Sequence, residues 1–168
     1  MMSFMGKYVR IIDAINYRMG RIMMYFIFVM VAILLWSSIS KTFFLPSLWT
    51  LEMAQFAMVA YYILGGPYAL QKGANVRMDL FYGTWSDKRK AQVDAITVLF
   101  LIFYLGVMLY GAYDSTSYSF QYGERSPTAW RPYLWPIKVV MCFGIFMMLL
   151  QSISELFKDI ATLKGVKL

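Results

Sequence analysis

Histidine is absent from this 168-residue sequence, and cysteine occurs once, at Cys142. Without histidine there is no bis-histidine haem anchor, no imidazole metal ligand and no general base of the Ser-His or Cys-His kind. A single thiol excludes an intrachain disulfide, an iron–sulfur cluster and a thiolate zinc centre. Charge is scarce as well: 15% of the residues are Asp, Glu, Lys or Arg, against a usual share of about 25%. Enzyme signatures are missing too, including G-x-S-x-G, the P-loop, the dinucleotide fingerprint and a spaced carboxylate pair. The chain is therefore expected not to be an enzyme, and to have no catalytic residue, cofactor or metal site of its own.

What is present is apolar. Hydrophobic residues make up 60% of the chain, and the mean hydropathy is +0.56. Three uncharged runs, residues 22–40, 53–71 and 95–113, are each 19 residues long. At the rise of an α-helix each reaches about 28 Å, close to the thickness of a bilayer's hydrocarbon core. A fourth run, residues 139–154, has 16 residues. It becomes a full span if it starts near Tyr133 and Lys138 snorkels toward the headgroups. These runs predict an all-α integral membrane protein of one domain, residues 1–168, with spans at about 22–43, 52–71, 93–114 and 133–156. The first run is too long for a signal-peptide core, and Trp36–Lys41 is a poor cleavage site, so it is expected to be retained.

The excess of bases, net +7, orients these spans rather than engaging nucleic acid. Twelve bases, among them Arg18, Arg21, Lys72, Arg77 and the run Lys88-Arg89-Lys90, fall before span one, between spans two and three, and after span four. Four fall on the other side: Lys41, Arg125, Arg131 and Lys138. The imbalance predicts both termini in the cytoplasm. Arg18, Arg21 and the Lys88-Arg89-Lys90 run are read as contacts with anionic lipid that fix this topology. Phe43, Phe44, Trp49, Trp130, Tyr133 and Trp135 mark the opposite headgroup level.

Residues 4–21 place Phe4, Tyr8, Ile11, Ile12, Ile15 and Met19 at helical spacing, with Lys7, Arg10, Asp13, Arg18 and Arg21 opposite. This predicts an amphipathic interfacial helix that turns into span one, serving either as a lateral brace or as a simple anchor. Ser86-Asp87 reads as the start of the third helix. Residues 114–132 are polar, aromatic and broken by Gly123, Pro127 and Pro132, and are expected to form the sizeable outer segment. No Asp, Glu, Lys or Arg lies within the four runs, which leaves little material for an ion path. Glu52, at the outer start of span two, is either an acid complementing the helix dipole or an ion-pair partner of Lys41, Arg125, Arg131 or Lys138.

The pattern Trp49-x-x-Glu52, then Gly65-Gly66-Pro67-Tyr68-Ala69-Leu70, then Val76-Arg77-Met78-Asp79-Leu80-Phe81-Tyr82, resembles the small membrane subunit, the DctQ-type or Q component, of a tripartite ATP-independent periplasmic (TRAP) transporter. Glu124-Arg125-Ser126-Pro127 and Pro136-Ile137-Lys138 resemble the family's later motifs. Asn75 and Thr128-Ala129-Trp130 depart from the usual pattern. The resemblance implies a non-transporting scaffold in the bacterial inner membrane. On this implication the chain packs against a large multi-span subunit that imports organic acids with sodium ions, the ions being held in that partner. A periplasmic substrate-binding protein docks outside. The interface residues it suggests are Trp49, Glu52, Gly65, Gly66, Pro67, Lys72, Arg77, Asp79, Glu124, Arg125, Ser126 and Lys138. A competing reading is a standalone homo-oligomeric channel or exporter that uses Glu52. A third is an assembly factor for a membrane enzyme.

Overall fold

A computed structural model describes residues 2–74 and 86–165. Among these, four α-helices account for nearly all the regular structure: α1 (Met2–Phe43), α2 (Thr50–Gln71), α3 (Asp87–Tyr122) and α4 (Trp135–Leu163). By length and composition α1, α3 and α4 are apolar enough to cross a membrane; α2 is not among them. Its 22 residues include Glu52, Gln55, two glycines, Pro67 and several tyrosines, which dilute an otherwise uncharged stretch.

The first helix differs from expectation. It has 42 residues and no break near residue 21, so no separate interfacial helix turns into span one. The reason is a single packed stripe. Val9, Ile12, Asn16, Gly20, Met23, Phe26, Met30, Ile33, Ser37 and Ser40 follow one another at three- and four-residue steps, and all are buried or half-buried. A stripe that stays in phase along a helix keeps that helix against its neighbours. Ile11 and Ile15, placed by the sequence on the apolar side of an interfacial helix, lie off this stripe and are 58% and 43% exposed.

The third helix also runs past its uncharged window. Residues 114–122, expected to belong to the outer segment, are helical, and α3 ends only where Gly123 adopts a left-handed conformation (φ 60°). That conformation suits glycine and closes the helix, with the Glu124 amide donating to the Ser119 carbonyl at 3.1 Å. Ser86 occupies the predicted N-cap position of α3, although its side chain makes no capping hydrogen bond.

The last helix is the centre of the bundle. It packs against α1, α2 and α3, α1 also packs against α2, and α3 rests substantially on α4 alone. The packed stripe of α3 is Ala91, Val98, Leu105, Ala112 and Ser119, a strict seven-residue repeat. Two glycines allow close approach to α2. A Cβ on Gly144 of α4 would overlap the Ile63 side chain, and one on Gly20 of α1 would overlap Tyr68. Gly65 has nothing within 4 Å in the direction of a Cβ, and a Cβ on Gly66 would make only an ordinary 3.4 Å contact with Met148. Helix α2 continues through the buried Pro67 to Gln71.

Candidate functional site

The polar side chains gather at the two ends of the bundle. At one end, the turn from α1 to α2 is closed by hydroxyls. Ser40 Oγ stands 3.0 Å from Ser47 Oγ, Ser47 Oγ 2.8 Å from Thr50 Oγ1, and Thr50 Oγ1 donates to Ser37 Oγ at 3.1 Å. Trp49 is the N-cap residue of α2 and remains 39% exposed.

One turn on, Glu52 is buried, and its Oε1 accepts a 3.2 Å hydrogen bond from Ser126 Oγ in the α3–α4 loop. Its Oε2 has no partner among the described residues. The expected ion pair of Glu52 is therefore not formed. Lys138 goes elsewhere: its Nζ lies 2.7 Å from Glu124 Oε2 and donates to Ser119 Oγ at 2.6 Å. Because α3 stays helical to Tyr122, Ser119 and Glu124 reach α4, and Lys138 is held within the chain rather than snorkelling to headgroups. The Lys138 ammonium, with the Ser119 hydroxyl, holds the Glu124 carboxyl below its usual range. Around this clasp the loop forms a small hairpin. The Ser126 amide donates to the Pro132 carbonyl at 2.9 Å and the Leu134 amide to the Glu124 carbonyl at 3.0 Å. The Arg125 guanidinium lies 4.2 Å from the centre of the Tyr133 ring and donates to its hydroxyl. Glu52, Glu124, Arg125, Ser126 and Lys138, separated widely in sequence, thus meet at one end.

The other end carries a cluster that none of the predicted site residues anticipates. Asp13 of α1 pairs with Lys158 of α4 at 2.7 Å and accepts from Gln151 Nε2 at 2.9 Å and Ser154 Oγ at 3.1 Å. Asn16 Nδ2 donates to Gln151 Oε1 at 2.6 Å, and Glu155 takes both Lys158 and Gln151 at 2.8 Å. From α2, Gln71 Nε2 donates to the Asp13 carbonyl at 3.1 Å. Burial opposes ionisation of Asp13, but the Lys158 ammonium and the hydrogen bonds from Gln151 and Ser154 outweigh it and lower its pKa. Burial likewise opposes the charge on Lys158, and Asp13 and Glu155 reverse it, so that its pKa is raised. The signal was in the sequence. Asp13 is the sole acid before Glu52, and Gln151, Ser154, Glu155 and Lys158 share one helical face.

Lys72, at the end of α2, is exposed and sits beside aromatic rings rather than beside an acid among the described residues. Arg18, Arg21 and Arg89 are exposed, and Lys90 is half-buried. The side chain of Lys88 and the residues Arg77 and Asp79, with the whole motif from Val76 to Tyr82, lie outside what the structure describes. No group of three or more Asp, Glu or Cys side chains among the described residues could hold a metal ion.

Both ends of the bundle are therefore tied across helices, while the apolar middle faces outward. In α1 and α3 the most apolar 18-residue window is 6% buried within the chain, and in α4 28%. Such a molecule is built to be surrounded. No curated protein and no solved structure matches the chain. A family model does, over residues 30–162, which takes in α2 and α3 whole, α4 but for its last residue, and the later part of α1. It describes the DctQ component of tripartite ATP-independent periplasmic transporters, and the chain belongs to that family, as a small component of a TRAP transporter.

Proposed function

We propose that the chain is the non-transporting scaffold subunit of a sodium-coupled TRAP transporter that imports organic acids across the bacterial inner membrane. The observation that carries this is the small buried share of its apolar helices. Six per cent in α1 and α3 leaves two long faces that need either lipid or a large apolar partner. Among the described residues the buried polar groups lie toward the ends, most of them paired with one another, and line no continuous path between the ends. On this reading all four helices span the membrane with both termini in the cytoplasm, α2 being shielded by α1 and α4. The large membrane subunit covers part of the apolar surface and holds the sodium ions; this chain performs no chemistry and carries no cofactor. The outer clasp of Glu124, Arg125, Ser126 and Lys138, with Glu52 beneath it, presents a rigid surface on which the periplasmic binding protein docks.

Co-purification tests it. With a tag after Leu168 and gentle solubilisation, the chain is expected to elute with a much larger multi-span protein in fixed ratio. Elution alone, or only with itself, would sink the proposal. The competing channel reading is favoured by one feature, the buried and unpartnered Oε2 of Glu52. If the chain alone transported solute in proteoliposomes, and Glu52→Gln abolished that transport, the channel reading would replace the scaffold.

A further inference from the structure

The end of α2 at Gln71 meets α1 at a feature that neither clasp uses. Two cations from different helices converge on one ring: Arg21 lies 5.8 Å from the centre of Tyr17, and Lys72 Nζ lies 5.3 Å from it. Lys72 is also 5.8 Å from the ring of Tyr68, which itself stands 5.9 Å from Tyr17. Among the described residues neither cation has an acidic partner. Like charges drawn to one place repel unless an anion joins them. Their depth is informative, since Arg21 directly precedes the uncharged run 22–40 and Lys72 directly follows the run 53–71. Both stand at the boundary between the apolar layer and water, where lipid phosphates lie.

Tyr68 belongs to a second feature. From it, a groove of about 440 Å³ runs into the apolar layer between α1 and α2, lined by Gly20, Met23, Met24, Tyr62, Gly65 and Gly66. It opens outward, with Tyr62 67% and Met24 51% exposed. Gly65 leaves it empty where a side chain would stand.

We propose that this junction binds one anionic phospholipid, its phosphate held by Arg21 and Lys72 and its acyl chain lying in the adjoining groove. One molecule then satisfies both halves, a negative charge at the boundary and a flexible apolar chain beneath it. A partner helix would need to bring an acid to that same depth. The inference does not depend on which protein the chain takes as partner.

The test uses the full chain in detergent, stripped of lipid, with phosphatidylglycerol or phosphatidylcholine of the same acyl chains added back. Bound lipid is measured by mass spectrometry and the unfolding midpoint by a thermal ramp. Phosphatidylglycerol is expected to bind and raise the midpoint, and phosphatidylcholine to do neither at equal concentration. The R21Q/K72Q variant loses affinity about tenfold or more, two boundary cations having been removed. Gly65→Leu keeps both cations and fills the groove, and it also loses bound lipid, so a folding defect in the double variant does not decide the matter. K7Q/R10Q, exposed bases away from the groove, leaves binding unchanged. Equal binding of phosphatidylcholine, reproduction of the shift by inorganic phosphate, or retention of lipid by both R21Q/K72Q and Gly65→Leu would overturn the proposal. So would the absence of phosphatidylglycerol from the chain purified with its large partner, which would assign the groove to a protein helix.

Discussion

A methyl group added at Gly144 has no room. It would overlap Ile63 Cγ2 and stand 3.2 Å from the Ile63 carbonyl oxygen, which belongs to the backbone and cannot swing aside. Gly144→Ala is expected to cost about 1–3 kcal/mol, as overpacked cores do. Gly65→Ala, at an open position, is expected to leave stability unchanged or to raise it by up to about 1 kcal/mol through helix propensity. Thermal unfolding of the two variants in one detergent compares them directly, and equal losses would contradict the packing described. Arg131 holds a left-handed backbone (φ 50°) in the α3–α4 hairpin, and Arg131→Gly is expected to stabilise by about 1 kcal/mol. The sequence marks glycines but not the direction each one faces. Gly65-Gly66-Pro67 stands out as a break in an apolar run, whereas Gly20 and Gly144 look ordinary. Which glycine meets a neighbour depends on the rotation of two helices about their axes, and no local pattern supplies that.

At the scale of the element, uncharged windows measure the bilayer rather than the helix. Each window falls within a helix, yet α1, α3 and α4 all continue well beyond, because polar residues past the window bond to one another instead of to water. Asp13 and Lys158 do this for α1 and α4, and Ser119 and Lys138 do it for α3 and α4. The apolar stripe read from the sequence and the packed stripe share Ile12, but the packed one runs on through Val9 and Asn16 while Ile11 and Ile15 stay exposed. The polar pair Asp13 and Asn16 belongs to the packed side, and an amphipathic reading sends it to water. Asp13→Ala is expected to destabilise the chain by about 2 kcal/mol at neutral pH, the scale of hydrogen bonds to a charged group. The pH dependence follows from the shifts. The lowered pKa of Asp13 gives stability that is present above its ordinary value and lost as pH falls through the lowered one. The raised pKa of Lys158 gives stability that is present below its ordinary value and lost as pH rises through the raised one. The difference in unfolding midpoint between wild type and Asp13→Asn should therefore be flat from about pH 5 to pH 9 and shrink in acid. A difference that persists undiminished at pH 2 would show that the cluster is not ionic.

For the whole molecule, composition and charge bias sufficed for the class, and the order of short motifs sufficed for the family. What they did not reveal is which helix holds the others. The small residues on α4, Gly144, Ser152, Ser154 and Ala161, are buried and mark its packed faces, a membrane-protein signal that can be read from sequence. That signal is diluted by the bulk of its Met, Phe and Leu. The role of α4 predicts that a chain ending at Leu134 fails to keep its helices together. Cysteine pairs placed on α1 and α2 should still cross-link in that truncation, where the two helices touch directly, while α3 becomes accessible to proteolysis toward Tyr122.

The position of that hub in the chain carries a consequence for biogenesis. A ribosome delivers α1 and α2 first as a pair that can associate, and then α3, which has little to lean on. Until α4 emerges, α3 lacks the helix on which it rests. Every clasp described at either end, Asp13 with Lys158 or Glu124 with Lys138, closes only when α4 arrives. The two ends of the bundle are therefore tied only once α4 has been made, and a chain interrupted before it leaves Asp13 and Glu124 without their lysines.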